Sequence, residues 1–159
     1  MPAFTMDQPW WALGRQFRIR DGDGNLRYRV RSKLLTFMKS SVLEDASGRE
    51  VAAIRQPVFV LDRLSTITAE GRTVATVKQL LDRKPQGQTY SVDVEAGRVL
   101  SISETRYKEK YVVREGARTL ATIVRGVGYS VATGDADEVL LLSIAVAIDQ
   151  WDGNYTEST

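Results

Sequence analysis

DEVLLLSIAVAIDQW, residues Asp137 to Trp151, decides the fold. From Val139 to Ile148 every residue except Ser143 is apolar, and a helix over this run would carry no polar stripe on any face. These ten residues are too few to span a bilayer, which needs about 20, so no transmembrane segment is expected. The flanks favour a helix. Asp135 or Asp137 can cap its start, Asp137 and Glu138 suit the positive end of the helix dipole, and Gly153 lies where a C-terminal cap belongs. Val139, Ile144, Val146 and Ile148 are β-branched and pull toward a strand, but the boundary signals outweigh them. A helix apolar all round has to be enclosed by protein or lipid. Val139, Leu140, Leu141, Leu142, Ile144, Val146 and Ile148 are therefore expected to form a structural core helix. The Ser143 hydroxyl should bond the carbonyl one turn back, and Asp149 should sit near an end of the enclosure.

The upstream sequence supplies a wall. One unit recurs: a β-rich run, a Gly-bearing polar turn and a second β-rich run. The copies are FRIRDGDGNLRYRV (17–30), SVLEDASGREVAAI (41–54), STITAEGRTVATV (65–77), YSVDVEAGRVLSI (90–102) and YVVREGARTLATI (111–123). Their turn glycines, Gly24, Gly48, Gly71, Gly97 and Gly116, are 24, 23, 26 and 19 residues apart, and the flanking runs alternate apolar and polar with the period of half-buried strands. Each copy reads as a β-hairpin with turn chemistry suited to positive φ. With GYSVAT (128–133) and FMKSS or VFVLD as further strand material, eleven or twelve short strands are expected. Antiparallel strands in this number close into a barrel or split into a sandwich, which shortens or removes exposed edges. The simplest arrangement is an all-β closed antiparallel barrel of about twelve strands around the buried C-terminal helix.

Composition fits one domain over 1–159, with its core from about residue 11 to 152 and a polar tail from 153. A hydrophobic fraction of 43% and a charged fraction of 26% are those of a folded, soluble chain rather than a disordered one. Cysteine and histidine are absent, which removes disulfides, Cys or His zinc sites, thiolate nucleophiles and imidazole bases. Chemistry based on carboxylates, Lys or Tyr stays open without a signature to support it, and no cofactor or metal is expected. An enzyme is disfavoured, because the proposed helix fills the interior where a polar pocket would form. Residues 1–84 carry 15 Lys or Arg against 9 Asp or Glu, and residues 85–159 carry 7 against 11. Basic charge is thus concentrated early. MPAFTMDQPWW has neither a charged n-region nor an apolar h-region, so no secretory signal is read there and a cytoplasmic location is the default expectation.

The helix ending in AVAID, the GYSVA strand before it, hairpins such as LEDASGREVAAI, and the opening segment WWALGRQFRIRDGDGN together resemble the LURP-one-related family. The resemblance runs from about Trp11 to Trp151, with Arg15 standing where the family often has an acidic residue. It implies a twelve-stranded barrel around a central hydrophobic helix, a fold shared with Tubby C-terminal domains and phospholipid scramblases. Tubby-like domains are associated with phosphoinositide binding and scramblases with lipid movement, so the resemblance also implies a lipid-facing role.

The first hairpin carries the most informative polar residues. With Phe17, Ile19, Leu26, Tyr28 and Val30 turned to the core, alternation sends Arg18, Arg20, Arg27, Arg29 and Arg31 to the other face, near Arg15 and Lys33. Such a stripe can bind phosphate on a lipid headgroup or a nucleic acid. Nucleic acid is the weaker version, since no exposed aromatic ladder accompanies the arginines. The plainer reading is a solvated face whose arginines pair with Glu44, Asp45 or Glu104. DGDGN (21–25) has alternating Asp and Asn like a calcium loop, but an EF-hand needs Gly at position six and Glu at twelve, where this chain has Leu26 and Ser32. It reads as a turn. RGVG (125–128) is followed by no helix and reads as a turn between strands. Trp10, Trp11 and Trp151 are expected to plug the barrel ends rather than touch a membrane interface, and DRKPQGQ (82–88) is expected on a surface loop. The leading function is a non-catalytic module binding an anionic phospholipid or membrane surface, peripheral to the membrane. A protein-interaction or structural scaffold with its own protein partner is the alternative.

Overall fold

Period-two alternation of apolar and polar residues makes the strands. The computed structural model describes residues 3–7, 16–34, 38–57, 64–80, 88–104, 110–125, 129–133 and 137–152. In chain order these form β1 (Ala3–Asp7), β2 (Gln16–Arg20), β3 (Leu26–Leu34), β4 (Met38–Asp45), β5 (Glu50–Pro57), β6 (Leu64–Ala69), β7 (Arg72–Gln79), β8 (Gln88–Val94), β9 (Arg98–Glu104), β10 (Lys110–Glu115), β11 (Arg118–Arg125), β12 (Tyr129–Thr133) and α1 (Glu138–Asp152). All strand pairs are antiparallel. Consecutive strands pair from β2 to β12, and β1 pairs both β12 and β2, so the order closes into a barrel. The segments VFVLD (58–62), GVG (126–128) and 82–87 and the residues Trp10 and Trp11 lie outside the described residues, as does the tail from Gly153.

Five hairpins, β2–β3, β4–β5, β6–β7, β8–β9 and β10–β11, put their turns at one end of the barrel. Two of the turns use the same device. Asp21 Oδ1 accepts the backbone N–H groups of Asp23 and Asn25 at 3.0 Å each, and Asp45 Oδ1 those of Ser47 and Arg49 at 3.0 Å each. Gly24 and Gly48 follow at φ +84° and +88°, the left-handed region that a side chain makes costly. The Asp21 carboxylate is therefore occupied by its own backbone, which is the turn reading of DGDGN.

The sequence reading starts the core at about residue 11, whereas the barrel starts at Ala3. Phe4 and Met6 of β1 are buried at 2% and 1% exposure, with Ala3 and Thr5 facing out. This strand has no hairpin partner of its own, so the repeat that marks the others does not mark it. Leu26, expected to face the core, is only half-buried. The register of β2–β3 pairs Ile19 with Tyr28 but Arg20 with Leu26, leaving Arg27 as the extra residue of a bulge.

The helix lies within the barrel, packed against β4 to β7 on one side and β11 and β12 on the other. Leu141 to Ile148 are all buried, including Leu142, Ile144, Val146 and Ile148, while Val139 and Leu140 in the first turn are half-buried. Each fully buried Leu, Ile or Val contributes about 1.5–3 kcal/mol of transfer free energy. Ser143 Oγ donates to the Val139 carbonyl at 2.7 Å, so the polar atom in the run costs little. At the start, Leu141 N–H bonds the Asp137 carbonyl at 2.9 Å, making Asp137 the cap residue by backbone, at φ +67°. Its carboxylate does not cap; it reaches Arg98 instead. Among the described residues no helix is long and apolar enough to cross a membrane.

Candidate functional site

β2 and β3 pair with each other and are paired on their other sides too, β2 with β1 and β3 with β4, so their outward side chains form part of a continuous wall. Phe17, Ile19, Tyr28 and Val30 face inward, and Arg18, Arg27, Arg29 and Arg31 are exposed, with Arg20 half-buried. The alternation therefore places the arginines as the sequence suggests. It does not make them one site.

The bulge and the neighbouring acids divide the stripe. Arg27, pushed toward the turn end, lies 3.9 Å from Asp21 and 3.6 Å from Glu138 of α1. Arg31 Nε is 3.4 Å from Glu44 of β4. Arg20 Nη1 donates to the Gly24 carbonyl at 3.2 Å and so stitches its own turn. Arg18 and Arg29 remain. They are opposed in register across β2–β3, and among the described residues neither has a hydrogen-bond or ion-pair partner. Like charges directly opposite on a sheet destabilise it. In register the row continues to Asp7 on β1 and Glu44 on β4, so backbone positions of acids flank the two guanidinium groups.

Of the acids considered as partners from sequence, Glu44 takes Arg31, while Asp45 serves its own turn and has its carboxyl held below the usual range by the Ser47 hydroxyl and the Arg49 amide. Glu104 lies on β9 opposite Tyr111, halfway round the barrel from β3. Asp21 and Glu138, which do meet Arg27, carry no sequence signal for it beyond their position at a turn and a helix start.

A second polar cluster, unforeseen in the sequence, pins the helix to the turn end of the wall. The Tyr28 hydroxyl donates to Glu138 Oε2. Burial first, and then this carboxylate, push the Tyr28 pKa up to about 12. Arg98 of β9 grips Glu115 of β10 with Nε at 2.8 Å and Nη2 at 3.3 Å, and reaches Asp137 with Nη1 at 3.1 Å. The guanidinium holds the Glu115 carboxyl below the usual range. Charge-assisted, bidentate bonds of this kind orient as well as attract. Their evident task is to fix where α1 enters the barrel. Among the described residues no group of three or more acids could hold a metal ion.

The fold built from these elements has relatives. The chain matches the LURP-one-related family over residues 3–150. Its structure is similar to the X-ray structure of a protein from Arabidopsis thaliana, with a TM-score of 0.71 and 18% sequence identity, covering 95% of this chain and 91% of that one. At that identity the likeness concerns the fold. Among curated proteins none matches. The family match spans the hairpins, the strand β1 and nearly all of α1, and the chain belongs to the LURP-one-related family.

Proposed function

We propose that this domain is a non-catalytic binding module that docks on anionic membrane headgroups through the outer face of β2–β3, as a peripheral protein of the cytoplasmic leaflet. One observation carries the reading: Arg18 and Arg29 face each other, exposed, without a partner among the described residues. A phosphate between them accepts from both guanidinium groups and relieves their repulsion. Arg31 and Arg20 stand on either side and add attraction without the same freedom. The absence of His and Cys and the filling of the interior by α1 support a binding rather than a catalytic role. Each arginine near an anionic surface contributes about 1 kcal/mol, so two of them give weak, salt-sensitive docking.

Co-sedimentation with vesicles tests the reading. The protein is expected to pellet with phosphatidylcholine vesicles containing phosphatidylserine or phosphoinositide, and to be released by salt. It should not pellet with phosphatidylcholine alone. Arg18→Glu with Arg29→Glu should abolish binding, while Arg27→Gln, already committed to Asp21 and Glu138, should change it little. Binding that survives the double charge reversal refutes this surface. If no anionic vesicle is bound, a protein-interaction scaffold becomes the better reading.

A further inference from the structure

Polarity inside the barrel concentrates on one stretch of wall, β3 to β6, away from the hairpin turns. Ser32 and Ser41 oppose each other across β3–β4, their hydroxyls 2.8 Å apart. Lys39 is opposite Gln56 on β4–β5. On β5–β6 the pair Ile54 and Ile67 faces inward, fully buried. Two residues further along each strand, alternation puts Gln56 and Ser65 at the next pair of inward positions, just past the Arg55–Thr66 pair. Gln56 is 5% exposed and Ser65 0%. Gln56 Oε1 and Ser65 Oγ are both buried, and neither has a hydrogen-bond partner among the described residues.

Buried polar atoms in native proteins are nearly always satisfied, by protein or by ordered water. Here the two atoms project from adjacent strands into the same layer, between the β5–β6 wall and α1, which packs on both strands. They do not bond each other. A bridging molecule must donate to an amide oxygen, exchange a hydrogen bond with a hydroxyl, and be small enough to fit among Ile54, Ile67 and Val77, all fully buried. Rotating the Gln56 amide by half a turn would offer a donor instead of an acceptor; water serves either. We propose that one long-lived water molecule is built into the barrel here, bridging Gln56 Oε1 and Ser65 Oγ at the seam between wall and helix. It donates to the amide oxygen and accepts from, or donates to, the Ser65 hydroxyl. This site is independent of the β2–β3 face.

Oxygen-17 magnetic relaxation dispersion counts long-lived internal waters directly and is blind to hydroxyl proton exchange. The wild-type protein should show the contribution of this water, and the Gln56→Leu/Ser65→Ala double variant should lack it. Urea unfolding gives a second measure that does not depend on counting waters. Each single change leaves one atom buried and alone, so each should lower the midpoint, while the double change removes both polar groups and should restore it to the wild-type value or above. An unchanged relaxation amplitude in the folded double variant, or losses in the two single variants that simply add, would overturn the proposal.

Discussion

The inner and outer faces of the β2–β3 hairpin are made by the same few residues and obey different rules. Phe17, Ile19, Tyr28 and Val30 point into the barrel at 4%, 0%, 7% and 0% exposure. Their identities follow from packing, since a closed interior already holding a helix has no room for error. Arg18 and Arg29 sit one residue away, exposed and opposed. Nothing in the packing asks for them, and their mutual repulsion works against the sheet, offset in part by the acids at Asp7 and Glu44 that flank them in register. A residue that the fold does not need, placed where it costs stability, is a candidate for function. That contrast is the ground for assigning binding to the outer face, and each face can be tested separately.

The largest effects belong to the inside. Ile19→Ala on the wall and Leu142→Ala on the helix each remove a side chain at 0% exposure. Each should cost about 2–5 kcal/mol, the range for such truncations when the cavity cannot collapse. Urea unfolding followed by tryptophan fluorescence measures this. A loss well below that range at both positions would mean that the helix and wall are loosely packed, and the contrast between the faces would fail.

The interior was also the legible part. Five hairpins announce themselves through glycines at near-regular spacing, and an apolar run with Asp before it reads as a buried helix, despite its β-branched residues, once a wall exists to bury it. β1 escaped because AFTMD shows its alternation over five residues with no turn signal attached; its partners, β12 and β2, are distant in sequence or separated by a long connection. The candidate surface was legible only as a direction of side chains. Alternation tells which way an arginine points but not which acid it meets, because that depends on register and on a bulge. Arg27 shows this: the bulge between Ile19 and Arg20 carries it to Glu138, which is 111 positions later in the chain. The opposition of Arg18 and Arg29 depends on the same bulge, since counting back from the Arg20–Leu26 pair without it would set Arg18 against Tyr28.

Tyr28 lies between the two extremes, inward in its ring and polar at its tip. Phe keeps the ring and removes the hydroxyl that donates to Glu138. A hydrogen bond to a charged group contributes about 1.5–3 kcal/mol, so Tyr28→Phe should cost less than Ile19→Ala. The sign of its pH dependence follows from the raised pKa. In the folded protein the phenol titrates near 12, above its ordinary value of 10.0. The contribution of the neutral hydroxyl is present in full below pH 10 and is lost as pH rises through the folded value. Wild-type stability should therefore fall between about pH 10 and 12 more steeply than that of Tyr28→Phe. Equal slopes would remove Tyr28 from the cluster that seats the helix.

At the tip of the same hairpin, two glycines two residues apart separate backbone from packing. Neither has any atom within 4 Å of the position a Cβ would take, and of the two only Gly24 has positive φ, at +84°. Gly24→Ala should cost about 1–2 kcal/mol, the penalty for a left-handed residue with a side chain, while Gly22→Ala should be neutral. Equal effects in thermal unfolding would mean the turn adapts its conformation.

The smallest effect on stability is expected where the largest effect on binding is proposed. Arg18→Gln and Arg29→Gln remove exposed charges that repel each other and touch no described partner. Their unfolding free energies from urea titration should stay within about 0.5 kcal/mol of wild type, as for surface substitutions generally. Sedimentation with anionic vesicles should drop for each single variant and vanish for the pair. Arg31→Gln supplies the internal control, because that guanidinium already faces Glu44 at 3.4 Å and should matter less to a vesicle than its two neighbours. If all three single variants weaken binding equally, the whole basic stripe acts as a diffuse field and the opposed pair has no special role. If Arg18→Gln and Arg29→Gln instead destabilise the fold, the two arginines serve the barrel after all, and the difference between its faces disappears at the residues chosen to define it.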